Sequence, residues 1–237
     1  MPDYSFARRP RWLATHLLVA AVVVGMVSLG FWQLRRLDER REHNALIEAR
    51  SQQETVPVDE LPADLDAARF RAVEATGEYD VGEGIVVRSR TQAGAPGGWL
   101  VSPLRLPSGA EVAVLRGFTR FSRDGTIAEP PPPAGEVSVE GWAIPISRLD
   151  RLARTDLESL AEGRAHLLPI VLQMADSRPA DDGSLEPVPL SDLGEGPHLS
   201  YAVQWFLFAA VVLVGYPFLL RREARRGGVP DEVVRAA

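Results

Sequence analysis

The chain has 237 residues, 46% apolar and 24% charged, a balance that excludes a disordered or collagen-like polymer and allows a sizeable core. Its 26 basic residues, all Arg, are outweighed by 32 acids to a net charge of -6, which argues against nucleic acid as the main partner. The absence of cysteine excludes disulfides, zinc–thiolate and iron–sulfur sites, thiol nucleophiles, thiol copper transfer and thioether-held haem.

In chain order, residues 1–12 form a basic tail carrying Arg8, Arg9 and Arg11. Leu13 to Leu34 then run for 22 residues without a formal charge, about 33 Å as a helix at 1.5 Å per residue, enough to span a bilayer. The arginines bear a faint likeness to a twin-arginine signal. However, the apolar run outlasts a signal's hydrophobic region and ends in Trp32-Gln33-Leu34-Arg35 with no small-x-small cleavage site, so it reads as a retained anchor. Residues 38–53 are rich in helix formers and predict a helical stalk that continues the span until Pro57 and Pro62 stop it.

Six strands are predicted next, at Phe70–Tyr79, Ile85–Arg90, Trp99–Leu106, Glu111–Thr119, Glu136–Ile144 and His166–Met174. Pro107-Ser108-Gly109 predicts a hairpin turn, and Glu129 to Pro133 a stiff extended connector. A short helix over 156–162 is expected behind Thr155 as N-cap, with Glu158 in the capping-box position. Asp181 and Asp182 read as solvated turn residues. A second uncharged run, Tyr201 to Leu220, predicts another span, closed by Arg221 and Arg222 before a tail over 221–237.

The expected architecture is membrane α+β, with transmembrane helices at 13–34 and 201–220 flanking one antiparallel β-rich domain over 35–200, for which a small barrel and a sandwich are both open. Basic flanks at both ends place both termini in the cytoplasm and the central domain outside, in a multi-pass protein of the cell membrane. Charge follows the same division. Residues 43–197 hold 14 Arg against 25 acids, a net of -11, and the remainder nets +5.

Four histidines, His16, His43, His166 and His198, occur without an HExxH, GxSxG, phosphate-loop or GxGxxG signature, so no local motif points to catalysis. His198, Tyr201, Ala202 and Trp205 fall at i, i+3, i+4 and i+7 of a helix, which lines an imidazole, a phenol and an indole along one face at the outer boundary. Two readings stand. The face holds a flat aromatic ligand such as a porphyrin, with small Ala202 leaving room, or the three side chains are interfacial anchors that bind nothing. His16, near the other end of the first span, lies roughly a membrane thickness from His198, so the two cannot share one iron in a monomer. Gln33 and Gln204 are placed to hydrogen-bond across the helix pair or to a partner's spans.

Three segments carry a resemblance. Leu29-Gly30-Phe31-Trp32-Gln33-Leu34-Arg35-Arg36-Leu37 is similar to the LGxWQxxRxxxK signature of the surfeit locus protein 1 family, the Surf/Shy assembly factors of cytochrome c oxidase. Val114-Leu115-Arg116-Gly117-Phe118 resembles that family's VxRGW segment, and His198 to Phe206 its HxxYAxQWF motif. Arg40 or Arg41 stands for the family's Lys, Phe118 for its Trp, and Gly196 where Asn is frequent. The resemblance implies a non-enzymatic membrane protein that aids haem a insertion into oxidase subunit I, with haem a synthase as a further partner. It implies His198 as ligand of a transiently bound haem a iron, with Tyr201, Gln204 and Trp205 as neighbours. Arg116 and Gly117 read as a turn or bulge of the β-domain. The alternatives are a structural chaperone of an oxidase subunit that binds no haem, and a membrane-anchored extracytoplasmic enzyme of unknown chemistry.

Overall fold

The structure, a computed structural model, describes residues 4–190 and 193–226; the outer parts of both expected tails lie outside the described residues. Its helices are α1 (Pro10–Ser51), α2 (Leu65–Ala68), α3 (Arg151–Ala161) and α4 (His198–Arg226). Its strands are β1 (Val56–Pro57), β2 (Ala72–Tyr79), β3 (Ile85–Gln92), β4 (Ala95–Arg105), β5 (Glu111–Arg120), β6 (Glu136–Pro145) and β7 (Leu167–Arg178). The chain divides into two units, one of residues 4–44 with 193–226 and one of residues 45–190.

In the first unit, α1 and α4 are both long and apolar enough to cross a membrane. Little of either apolar stretch is buried in protein; Leu17, Leu18, Val24 and Phe31 on α1, and Leu207, Val211, Val214 and Phe218 on α4, stand exposed. The core helix of a soluble protein would bury such side chains, so the length, composition and exposure of both helices are consistent with a membrane protein. The pair packs through small residues, as spans do where apolar surface gains nothing by leaving lipid. Phe206 lies so close over Gly30 that a Cβ there would sit 2.7 Å from its ring, and Phe31 meets Phe206 edge to face at 5.4 Å. At the far end of the pair, the Tyr216 hydroxyl donates to His16 Nδ1, and His16 Nε2–H donates to the Ala7 carbonyl at 3.1 Å. Both ring nitrogens of His16 are thereby engaged, one by α4 and the other by the turn that precedes α1.

In the second unit, β2 pairs with β6, β6 with β7, β7 with β5, β5 with β4, and β4 again with β2, so five strands close on themselves. Of the two open architectures, this is the barrel. β1 and β3 lie outside the ring, on β2 and β4. The six expected strands all form, joined by the two-residue β1. The sheet is antiparallel except at β1–β2 and β5–β7, which are parallel. The second arises because β6 and α3 intervene before the chain returns beside β5. Leu106 and Ala110 close the expected β4–β5 turn through N–H···O=C at 2.8 Å.

Burial explains the strand patterns. β2 alternates, burying Val73, Ala75 and Tyr79, whereas β4 and β5 are buried almost throughout because both of their faces are covered. Leu104, Val112, Val114, Val137, Val139 and Leu172 fill one core cluster. Val101, Ala113, Leu115 and Val171 form another with Ala153, Leu157 and Leu160 of α3.

α3 corrects the sequence reading. It begins at Arg151, not 156, and its cap is Asp150, whose Oδ1 accepts from the Leu152 and Ala153 amides at 3.1 and 3.2 Å. Thr155 is inside the helix, its hydroxyl bonded back to the Arg151 carbonyl. Arg90 also grips Asp150, at 2.5 and 3.1 Å, and this ion pair leads the interactions that hold the Asp150 carboxyl below the usual carboxylate range. A folded-state value below the unfolded one stabilises the fold above about pH 4, and the contribution fades as pH falls through the folded value. Asp150→Ala is therefore expected to lower stability by about 1 kcal/mol at pH 7, mostly as a lost cap, with the difference from wild type shrinking below about pH 4 in urea titrations.

Arg116 is the extra residue of a β-bulge. Leu100 and Val101 of β4 face Gly117 and Leu115 of β5, which leaves Arg116 unpaired between them and turned inward. It is 2% exposed, and its guanidinium donates to both oxygens of Asp181 at 2.8 and 2.7 Å and to the carbonyls of Pro130 and Pro131 at 2.9 and 3.1 Å. The proline connector is thus also a strap whose carbonyls satisfy a buried cation. Asp181, expected in solvent, is its counter-ion, with a side chain only 11% exposed. Asp182 stays at the surface and accepts from the Ser184 amide at 2.9 Å.

Candidate functional site

His198 is the first residue of α4, and its approach is fixed by α1. Arg40 Nε donates to the Gly194 carbonyl at 3.1 Å, Arg41 makes a two-point bond to Glu195 at 2.7 and 3.0 Å, and Asn44 Nδ2 donates to the Leu193 carbonyl at 2.6 Å. The hydrogen bond from Arg41 holds the Glu195 carboxyl below the usual carboxylate range. The chain then turns at Gly196, whose φ of +69° suits glycine and which Asn, the residue frequent there in the resembled family, also tolerates. The Pro197 carbonyl accepts from the Tyr201 amide at 3.1 Å and from the Ser200 hydroxyl at 2.7 Å, closing the first turn of the helix.

The His198 ring is half-buried. Its Nδ1 lies 2.9 Å from Oε1 of Gln33. An amide oxygen only accepts, so Nδ1 donates to Gln33, and in the neutral ring this tautomer leaves Nε2 its lone pair. Gly196 flanks that nitrogen; a Cβ at this position would lie 3.5 Å from Nε2. The sequence left the partner of Gln33 open between a helix of this chain and a partner's span, and the structure gives it to His198. The one signal available was that Gln33 stands in a motif at the end of the first apolar run and His198 in one at the head of the second.

The other predicted residues separate. Ala202 is 1% exposed, so it leaves no room beside His198; its small side chain serves close packing instead, as does that of buried Ala209. Trp205 is half-buried and lies edge to face with Phe208 at 6.1 Å. Tyr201, 48% exposed, and Gln204, also exposed, turn away from the buried stripe. His198 and Trp205 therefore share the edge of the buried stripe, and Tyr201 and Gln204 flank it on the open side.

Among the described residues no group of three or more His, Cys, Asp or Glu is placed to hold a metal ion. A single imidazole lone pair suits a metal that already has an equatorial chelate, of which a metalloporphyrin is the common biological case. Such a donor set fits one axial bond.

The family model described as the SURF1 family matches residues 20–210, a stretch that includes Gln33, Arg116 and His198. The chain belongs to the SURF1 family. Members of the SURF1 family are known as cytochrome oxidase assembly factors. An uncharacterized SURF1-like protein of Mycobacterium tuberculosis is 26% identical over 95% of this chain and 89% of its own length. SURF1-like proteins of Monosiga brevicollis and Rickettsia conorii are 27% and 25% identical, over 88% and 89% of this chain and 88% and 92% of theirs. His16 and Tyr216 fall outside the SURF1 match, in keeping with a local role at the far end of the helix pair.

Proposed function

We propose that this SURF1 protein is a non-enzymatic assembly factor that holds haem a transiently on His198 and delivers it to subunit I of a cytochrome c oxidase, with haem a synthase as the source. The observation that carries the reading is the His198 ring itself, at the head of α4 with its Nδ1 bonded to Gln33 Oε1, a contact that leaves Nε2 of the neutral ring its lone pair. Haem a is cargo here, and its iron would take one axial bond from Nε2. Exposed Tyr201 and half-buried Trp205 offer aromatic surface to the macrocycle, and Gln204 an amide to its polar edge. A boundary position suits a porphyrin with an apolar body and ionised propionates. The basic flanks Arg8, Arg9, Arg11, Arg221, Arg222 and Arg225 support cytoplasmic termini, and the acidic central domain supports an extracytoplasmic position at the cell membrane.

The test is complementation of a strain lacking this protein. Wild type should restore haem a to the oxidase, whereas His198→Ala, made at equal level, should leave haem a content near that of the null strain. Full restoration by His198→Ala would favour the structural chaperone that binds no haem.

A further inference from the structure

We propose that Gln33 is a positioning residue that sets how tightly His198 holds a chelated metal, its neutral amide keeping the hold moderate so that the cargo can leave. The inference rests on the reading of His198 as an axial ligand.

The geometry has three parts. Gln33 Oε1 accepts the Nδ1 proton of His198 at 2.9 Å, which selects the tautomer that presents Nε2. Gln33 is itself placed by the helix contact, since Gly30, three residues earlier on the same face of α1, lies against Phe206 of α4. The segment before His198 is tied to the same helix through Arg40, Arg41 and Asn44, so the ring meets Gln33 at a fixed height along α1.

The chemistry follows from the acceptor. Drawing on the Nδ1 proton raises electron density at Nε2 and strengthens its bond to a metal, and the effect grows from no acceptor, through a neutral carbonyl, to a carboxylate. A resident metal site gains from a carboxylate at that place. A carrier must give up its cargo, and an amide supplies orientation with only part of the added basicity.

Two readouts on the detergent-solubilised full chain test this. In the haem-free protein, 15N spectra of His198 should show Nδ1 protonated in wild type, and a mixture of tautomers in Gln33→Leu; an Nε2-protonated ring in wild type would overturn the inference without any variant. In titrations with iron protoporphyrin IX, Gln33→Leu should bind about 10–100-fold more weakly and Gln33→Glu more tightly than wild type, with Gln33→Glu slower to release haem to an apo-acceptor. Equal affinities across the three, with binding still lost in His198→Ala, would overturn the role of Gln33 alone. Binding that survives His198→Ala would overturn the ligand reading and the inference with it.

Discussion

Asp181→Ala is expected to destabilise the barrel by about 3–5 kcal/mol, a large part of the stability of an ordinary domain. The expectation comes from burial. The Arg116 side chain is 1% exposed and that of Asp181 11%, so water screens the pair weakly, and removing the carboxylate leaves a guanidinium with the carbonyls of Pro130 and Pro131 and the Tyr79 ring, its centroid 5.8 Å away. The loss measures an uncompensated buried charge and not the net worth of the pair. Arg116→Met combined with Asp181→Leu should therefore recover much of it. Urea unfolding of the full chain reads both variants. A change within about 0.5 kcal/mol for Asp181→Ala would show that the charge finds solvent and that the bulge does not bury it.

Gly77→Val is expected to cost about 3 kcal/mol by preventing the ring from closing. β2 pairs with β6 along its length, and at Glu78 and Tyr79 it pairs with β4 as well. Gly77 stands where the seam begins. A Cβ there would lie 2.1 Å from the Arg105 carbonyl oxygen and 2.9 Å from its carbon, and backbone on the neighbouring strand cannot step aside as a side chain can. Amide exchange should rise at Asp80, whose N–H bonds to the Pro103 carbonyl across the seam, more than on β7. Unchanged stability and protection would mean that closure does not depend on β2 lying against β4.

What the sequence conveyed and what it hid divide along a physical line. Local periodicity marked the strands, because Val137 and Val139 alternate with polar neighbours, and long uncharged runs marked the two spans. Pairing between strands far apart in the chain left no local trace, so the parallel β5–β7 contact and the closure of β2 on β4 were not legible. Thr155 with Glu158 matches the capping-box pattern, whereas Asp150 caps α3 with Ala153, not Glu or Gln, three residues on, so that pattern does not mark it. Asp181, in an Asp-Asp-Gly turn, looked solvated because nothing nearby in sequence announced Arg116 as its partner.

The same division runs through the candidate site. Helical spacing found His198, Tyr201 and Trp205, and the motif added Gln204 beside them. Spacing also suggested room next to Ala202, which helix packing takes up. Gln33, 165 residues from His198, became its partner only when the two helices met.

The central claim is most directly tested by the optical spectrum of detergent-purified protein made alongside haem a synthesis, for wild type and His198→Ala. The account predicts a haem band in the wild type that His198→Ala lacks while its unfolding transition is unchanged. A wild type that restores oxidase assembly yet carries no haem, or a band of equal strength in both proteins, would contradict it.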